Sequence, residues 1–329
     1  MRIQTSAPTR IDLAGGTLDI WPLYLFHPGA QTINAAIDLR ARATIETRPD
    51  NRIVMHSEDT GITVEADDWH ELRDSRQLRL LSLLAHFFQA RGLTLTTSCA
   101  SPAGAGLAGS SALNVAVCAA LAQWSGTRYE PEALLRVALN VEAQAIGVPT
   151  GLQDYRPALY GGVAALELGT EDVRRVPLEV DPTELERRLV LCYTGQPRDS
   201  ATNNWDIMKR HIDGDRHVFD CFEAIRDTAV AMRDAIGRND WDAVGLAIGN
   251  EWEHRKRLVP GVSTPAIDAL IASGMRAGSS AAKVCGAGGG GCLFCYGPPD
   301  RQDAIREALV AGGARLLDFH IDQQGLEQG

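Results

Sequence analysis

The run Ser101-Pro-Ala-Gly-Ala-Gly-Leu-Ala-Gly-Ser-Ser-Ala112 decides how the rest of the chain is read. Leu93–Cys99 before it reads as a strand. Ala112–Trp124 after it is small and apolar almost throughout, the pattern of a buried helix. In a glycine-rich turn between strand and helix, backbone N–H groups and the helix N-terminus together form an anion site. Gly104, Gly106 and Gly109 allow the backbone to approach a triphosphate closely, and Ser110 and Ser111 offer hydroxyls to phosphate oxygens or to Mg²⁺. The Gly-Lys-Ser/Thr ending of a Walker A loop is missing. A dinucleotide fingerprint fails too, because Ser111 stands where its last glycine belongs. A flexible turn whose serines cap a helix is the competing reading.

A second turn, Lys283-Val-Cys-Gly-Ala-Gly-Gly-Gly-Gly-Cys292, places five glycines in six positions. Glycine costs conformational entropy on folding, so the usual reason for such a run is close approach to the backbone. Strands are expected at Ala43–Glu46, Arg52–His56, Val163–Leu168, Val173–Pro177, Leu189–Tyr193 and Leu316–Ile321. Helices are expected at Leu78–Arg91, Pro131–Gly147, Val218–Ile236, Trp241–Leu258, Thr264–Ser273 and Asp300–Gly312. The polar stretch Pro182–Arg188 marks a division into residues 1–182 and 183–329, a size at which two domains are the default.

The net charge of −10 and a pI near 5.3 argue against nucleic-acid binding. No apolar run approaches membrane-spanning length and no signal peptide is visible, so no membrane partner and a cytoplasmic location are expected. Seven scattered cysteines fit a reducing compartment. Cys292-x-x-Cys295 reads as core, Trp21, Trp69 and Trp205 as packing residues, and His254-Arg-Lys-Arg257 as an exposed helix face.

With Pro8-Thr-Arg-Ile-Asp-Leu-Ala-Gly-Gly-Thr17, Gly151-Leu-Gln-Asp-Tyr155 and Tyr160-Gly-Gly162, the two glycine turns resemble, in order and spacing, the signature motifs of the GHMP kinases. Tyr193-Thr-Gly195 with Arg198, and Val262-Ser-Thr-Pro265, are similar to the D-glycero-D-manno-heptose 7-phosphate kinase branch. The first motif departs from that branch: Gly15-Gly-Thr-Leu-Asp19 stands where Gly-Gly-Gly-Thr-Asp is usual.

The resemblance implies an α+β fold: an N-terminal domain like ribosomal protein S5 domain 2, a ferredoxin-like C-terminal domain, and a site between them. It implies an ATP- and Mg²⁺-dependent kinase acting on a hydroxyl, expected to be anomeric, of a sugar or sugar phosphate, as a monomer or homodimer. Pro102, Gly104, Ala105, Gly106, Leu107, Ala108, Gly109, Ser110 and Ser111 would hold ATP, with Ser111 and Glu142 on the metal. Asp154 would be the base, and Arg10 beside it would favour its charged form. Gly16, Thr17, Asp19, Asp154, Arg198, Gly288 and Gly289 would contact the sugar, Arg198 gripping an anionic group on it. A kinase of an unphosphorylated sugar or polyol, an ATP-dependent decarboxylase like the diphosphomevalonate decarboxylases, and a non-catalytic sensor are the alternatives. The sensor reading sits poorly with the presence of Arg10, Ser111, Glu142 and Asp154.

Overall fold

The structure, a computed structural model, describes residues 1–196 and 200–329. Its first half is built on β1 (Arg2–Ala14), β2 (Gln31–Thr47), β3 (Ile53–Ser57), β4 (Ile62–Ala66), α1 (Arg79–Phe87), β5 (Leu93–Cys99), α2 (Gly109–Ser125), α3 (Pro131–Ile146), α4 (Tyr155–Tyr160), β6 (Val163–Leu168) and β7 (Val173–Pro177). The second half contains α5 (Pro182–Glu186), β8 (Leu189–Tyr193), α6 (Ser200–Ile212), α7 (Arg216–Gly237), α8 (Trp241–Arg255), α9 (Pro265–Arg276), β9 (Ala281–Val284), β10 (Cys292–Tyr296), α10 (Gln302–Ala311), β11 (Arg315–Leu317) and β12 (Glu327–Gln328).

The large sheet runs β12-β1-β2-β5-β3-β4, with β6 also on β2 and β7 on β6. Its pairs are antiparallel except β3 with β5. β2 has 17 residues, long enough for β5 to pair with one end and β6 with the other. From Ala7 onward β1 is buried on both faces. Strand alternation puts Arg10 and Asp12 on one of those faces. The small sheet is antiparallel in the order β11-β8-β10-β9, with α6 to α9 between β8 and β9 and α10 before β11: the ferredoxin-like arrangement.

The halves share apolar core. Ile11, Leu13 and Ile33 pack in one cluster with Leu191, Met232, Ile248 and Phe294. The chain end returns to the first sheet, where β12 pairs with β1 and Asp322 accepts the Gly162 N–H through its backbone carbonyl. The proposed division after residue 182 therefore leaves a tail on the N-terminal side. No helix among the described residues is long and apolar enough to cross a membrane.

Several expectations need correction. The helix from Leu78 ends at Phe87, because Gln89 turns left-handed. The last expected strand is cut to Arg315–Leu317, and Ile321 makes only an isolated bridge to Ile37. The polar helix α6 was not foreseen. Trp21 and Trp205 are 61 % and 49 % exposed rather than packed, while Trp69 is half-buried. Cys292 and Cys295 lie buried in β10, as a core reading requires.

Candidate active site

The first glycine turn opens a cleft of about 400 Å³. Gly104 and Gly106 take φ of 67° and 80°, and Ala108, at φ 60°, leads into α2 with no side-chain cap. The first amides of a 17-residue helix therefore face the cleft without an intrahelical partner. Pro102, Ala105, Ala108, Gly109, Ser110 and Ser111 line it with the two glycines. Leu107 does not: its side chain joins the core, and its carbonyl accepts the Arg10 N–H at 2.9 Å.

Glu142 enters from α3. Ser110 and Ser111 donate to it at 2.6 and 2.9 Å, and the Tyr155 hydroxyl at 2.6 Å. Burial pushes this carboxyl up, against the opposing effect of those hydroxyls. No cluster of three or more metal-ligating side chains occurs among the described residues. Mg²⁺ bound to a nucleotide needs only one or two protein oxygens, since phosphates and water complete its shell. Ser111 with Glu142 fits that requirement.

Asp154 lines the same cleft from the short segment before α4. Arg10, buried in β1, donates to it from Nε at 3.1 Å and Nη2 at 2.5 Å, and from Nη1 to the Gly106 carbonyl at 2.7 Å. Burial lowers the Arg10 pKa, but Asp154 and Asp12 outweigh it and raise it above the ordinary value. One guanidinium thus ties the glycine turn to the carboxylate across it.

Asp19 lies behind Gly151: a Cβ on Gly151 would come within 2.4 Å of its Oδ2. That oxygen accepts the Gln153 N–H at 2.9 Å, while Oδ1 is buried without a partner. Burial, with Asp154 adding to it, pushes Asp19 up to about 7. Gly16 and Thr17 are beneath it among buried charges. A Cβ on Gly16 would meet Arg255 Nη2 at 2.3 Å and Asp12 Oδ2 at 2.8 Å.

Arg255 corrects the sequence reading of its helix face: it is 1 % exposed. It pairs with Glu251 at 2.7 Å and lies 3.6 Å from Asp12. Lys283, also fully buried, reaches Glu251 at 2.9 Å and Asp12 at 3.4 Å. Burial would raise Asp12, but Lys283, Arg10 and Arg255 hold it down at about 2. Sequence reasoning read Arg255 as exposed and gave no role to Asp12, Glu251 or Lys283; the one available signal was a charged residue inside the apolar strand β1.

The second glycine turn holds φ between 69° and 155° at Gly286, Gly288, Gly289, Gly290 and Gly291. What comes close is protein backbone. Gly288 packs on Val262, the Gly289 N–H donates to the Val262 carbonyl at 2.8 Å, and Gly291 abuts the carbonyls of Gly104 and Ala105. The two glycine turns touch, but Gly288 and Gly289 are not in the cleft lining. Asn204 of α6 lines it and was not foreseen. Arg198 lies outside the described residues.

The family model for the GHMP kinases N terminal domain matches residues 77–162, and that for GHMP kinases C terminal matches 232–315, together about half of the chain. The chain is 28 % identical to the D-glycero-alpha-D-manno-heptose 7-phosphate kinase of Campylobacter jejuni, over 99 % of this chain and 98 % of that protein. It is 29 % identical to the bifunctional fucokinase/GDP-fucose pyrophosphorylase of Arabidopsis thaliana, over 94 % of this chain and 31 % of that one. The fold superposes on a D-glycero-D-manno-heptose 1-phosphate kinase from Bacteroides thetaiotaomicron with a TM-score of 0.80 and 23 % identity, over 99 % of this chain and 98 % of that one.

Proposed function

The chain belongs to the GHMP kinases, and from that membership we propose that it transfers the γ-phosphoryl group of ATP to a hydroxyl of a sugar or sugar phosphate, with a heptose 7-phosphate as the leading acceptor. One observation carries the reading. An uncapped helix N-terminus, a buried acid bonded to two serines, and an arginine-held aspartate meet in a single cleft.

In this reading the triphosphate lies along the turn from Gly104 to Ser111, against amides that need an anion. The apolar wall of Leu113, Ile146, Val148 and Pro149 suits a purine ring. Ser111 and Glu142 would hold Mg²⁺, which supplies charge neutralisation on the phosphates. Asp154 orients the acceptor hydroxyl and takes its proton as the oxygen attacks; Arg10 keeps Asp154 aimed at the turn. Asp19, like Gly16 and Thr17, does not line the cleft; buried behind Gly151, it acts on the acceptor through the Gly151–Asp154 segment, whose Gln153 N–H its Oδ2 accepts.

A free sugar is the second reading. Arg10, Arg255 and Lys283 are all committed to carboxylates, so none is left to grip a phosphate on the acceptor. A phosphorylated acceptor would need a cation such as Arg198. An ADP-release screen over heptose 7-phosphates, hexoses, hexose phosphates and polyols separates the readings, with Asp154→Asn as control. Turnover of free sugars alone selects the second; no ATP-dependent turnover of any of them refutes both.

A further inference from the structure

Thr17 is a β-branched residue at φ 73°, a region such side chains avoid. Strain of this kind persists only where the surroundings over-determine it. The turn that Thr17 opens, with its carbonyl accepting the Ile20 N–H at 3.3 Å, carries Asp19. The Thr17 hydroxyl has one hydrogen-bond partner among the described residues, Arg255 Nη1 at 3.3 Å. The same Nη1 donates to the Gly286 carbonyl at 2.8 Å, while Nε donates to Glu251 at 2.8 Å. Arg255 is therefore fixed by two partners of the C-terminal half, Glu251 and Gly286, before it reaches a turn of the N-terminal half.

We propose that Arg255 is a positioning residue for the acceptor: by holding Thr17 in its left-handed conformation it sets where Asp19 and the neighbouring Gly151–Asp154 segment stand. The geometry opposes a direct role in binding an anion. Arg10, Arg255 and Lys283 face Asp12, Glu251 and Asp154, three cations against three carboxylates, so the cluster has no net charge for a ligand; the Arg255 Nη2, which makes no hydrogen bond, is buried against Gly16 and Glu251 rather than open to the cleft. It also stands apart from the nucleotide side, since neither Arg255 nor Thr17 lines the cleft with the first glycine turn and Glu142. Its action should fall on the acceptor rather than on ATP. The assignment of the acceptor side rests on the function proposed above.

The test uses substitutions that keep charge or volume. Arg255→Lys retains the cation but loses the planar fork that reaches Thr17 and Glu251 together. Thr17→Val retains the β-branch and removes the hydroxyl. With the best acceptor from the ADP-release screen, each should raise the acceptor KM roughly tenfold or more and leave the ATP KM within about twofold. The two together should be no worse than the worse single variant. Thr17→Gly, which adopts positive φ without strain, should restore much of the acceptor KM in the Arg255→Lys background. Additive losses, an ATP KM that rises in step, or no rescue by glycine would overturn the proposal. A crystal structure of Arg255→Lys reads the same point without turnover. Residue 17 should leave the left-handed region, and a φ still near 73° would sink the inference even in an active enzyme. If the wild-type protein turns over no sugar, the proposed function fails, and that crystal structure alone decides the role of Arg255.

Discussion

Replacing Lys283 by Met removes one of three buried cations at the junction of the halves. Its Nζ lies 2.9 Å from Glu251 and 3.4 Å from Asp12, and all three side chains are excluded from solvent. Met is close to Lys in length and leaves little cavity, so the loss is electrostatic. Removing one partner from a buried ion pair costs about 3–5 kcal/mol, because the other charge stays buried without compensation. At about 2–4 °C per kcal/mol for a domain of 150–250 residues, the melting temperature should fall by roughly 6–20 °C. Adding Glu251→Gln rebalances the cluster, with Arg10 and Arg255 against Asp12 and Asp154, and should return at least half of that loss. The sign of the pH dependence follows from the same charge. A carboxylate stripped of its cation titrates higher in the folded state than in the unfolded one. The folded variant then gains stability from that proton at low pH and loses it as pH rises. The deficit against wild type, read by scanning calorimetry, should be larger at pH 8 than at pH 5. A drop below about 2 °C, a double variant that loses more than the single one, or a deficit that grows on acidification would refute the charge-balance argument.

Asp154→Asn should lower kcat by about 10²–10⁴, the usual range for a lost general base, with nucleotide affinity by calorimetric titration within about threefold; undiminished turnover would remove Asp154 from that role. Glu142→Gln should raise the Mg²⁺ concentration needed for half-maximal rate, read from Mg²⁺ titrations at saturating ATP, and an unchanged requirement would take Glu142 off the metal. Gly151→Ala puts a Cβ 2.4 Å from Asp19 Oδ2, and the displacement it forces should cost roughly 10²-fold in kcat/KM, so a wild-type value would show that the segment tolerates it. Asp19, raised from 3.8 to about 7 by burial and Asp154, binds its proton more tightly when folded. It therefore supports folding below about pH 4 and loses up to about 4 kcal/mol of that support as pH rises through 7. Asp19→Asn should flatten stability between those limits in urea titrations, and an unchanged slope would rule the assignment out.

Much of the fold was legible from local signals. β5, β6, β7 and β8 fall on the runs Leu93–Cys99, Val163–Leu168, Val173–Pro177 and Leu189–Tyr193, each bounded by turn residues that end a strand. The helix after the first glycine turn was readable because apolar residues on every side of a helix leave only burial. α6 was not, since Ser200–Ile212 carries too many polar residues to advertise an apolar face, and the two-residue β12 is too short to leave a pattern. Within the site, the glycine turn, Ser111, Glu142, Asp154 and Arg10 could be picked out because motif order along the chain stands in for their meeting in space.

The sequence by itself determined which backbone segments could cradle an anion, because a glycine at positive φ and a helix start are written within a few residues. It also determined the order and spacing of the signature motifs, on which the resemblance to the family rests. Only the tertiary structure decided that Arg255 and Lys283 are buried, that the second glycine turn packs on Val262 and on the first glycine turn, and that Asp19 stands behind Gly151. Those outcomes depend on charges and backbones brought together across more than a hundred residues. In sequence, a lysine or arginine on a helix or strand looks the same whether water or a distant carboxylate answers its charge.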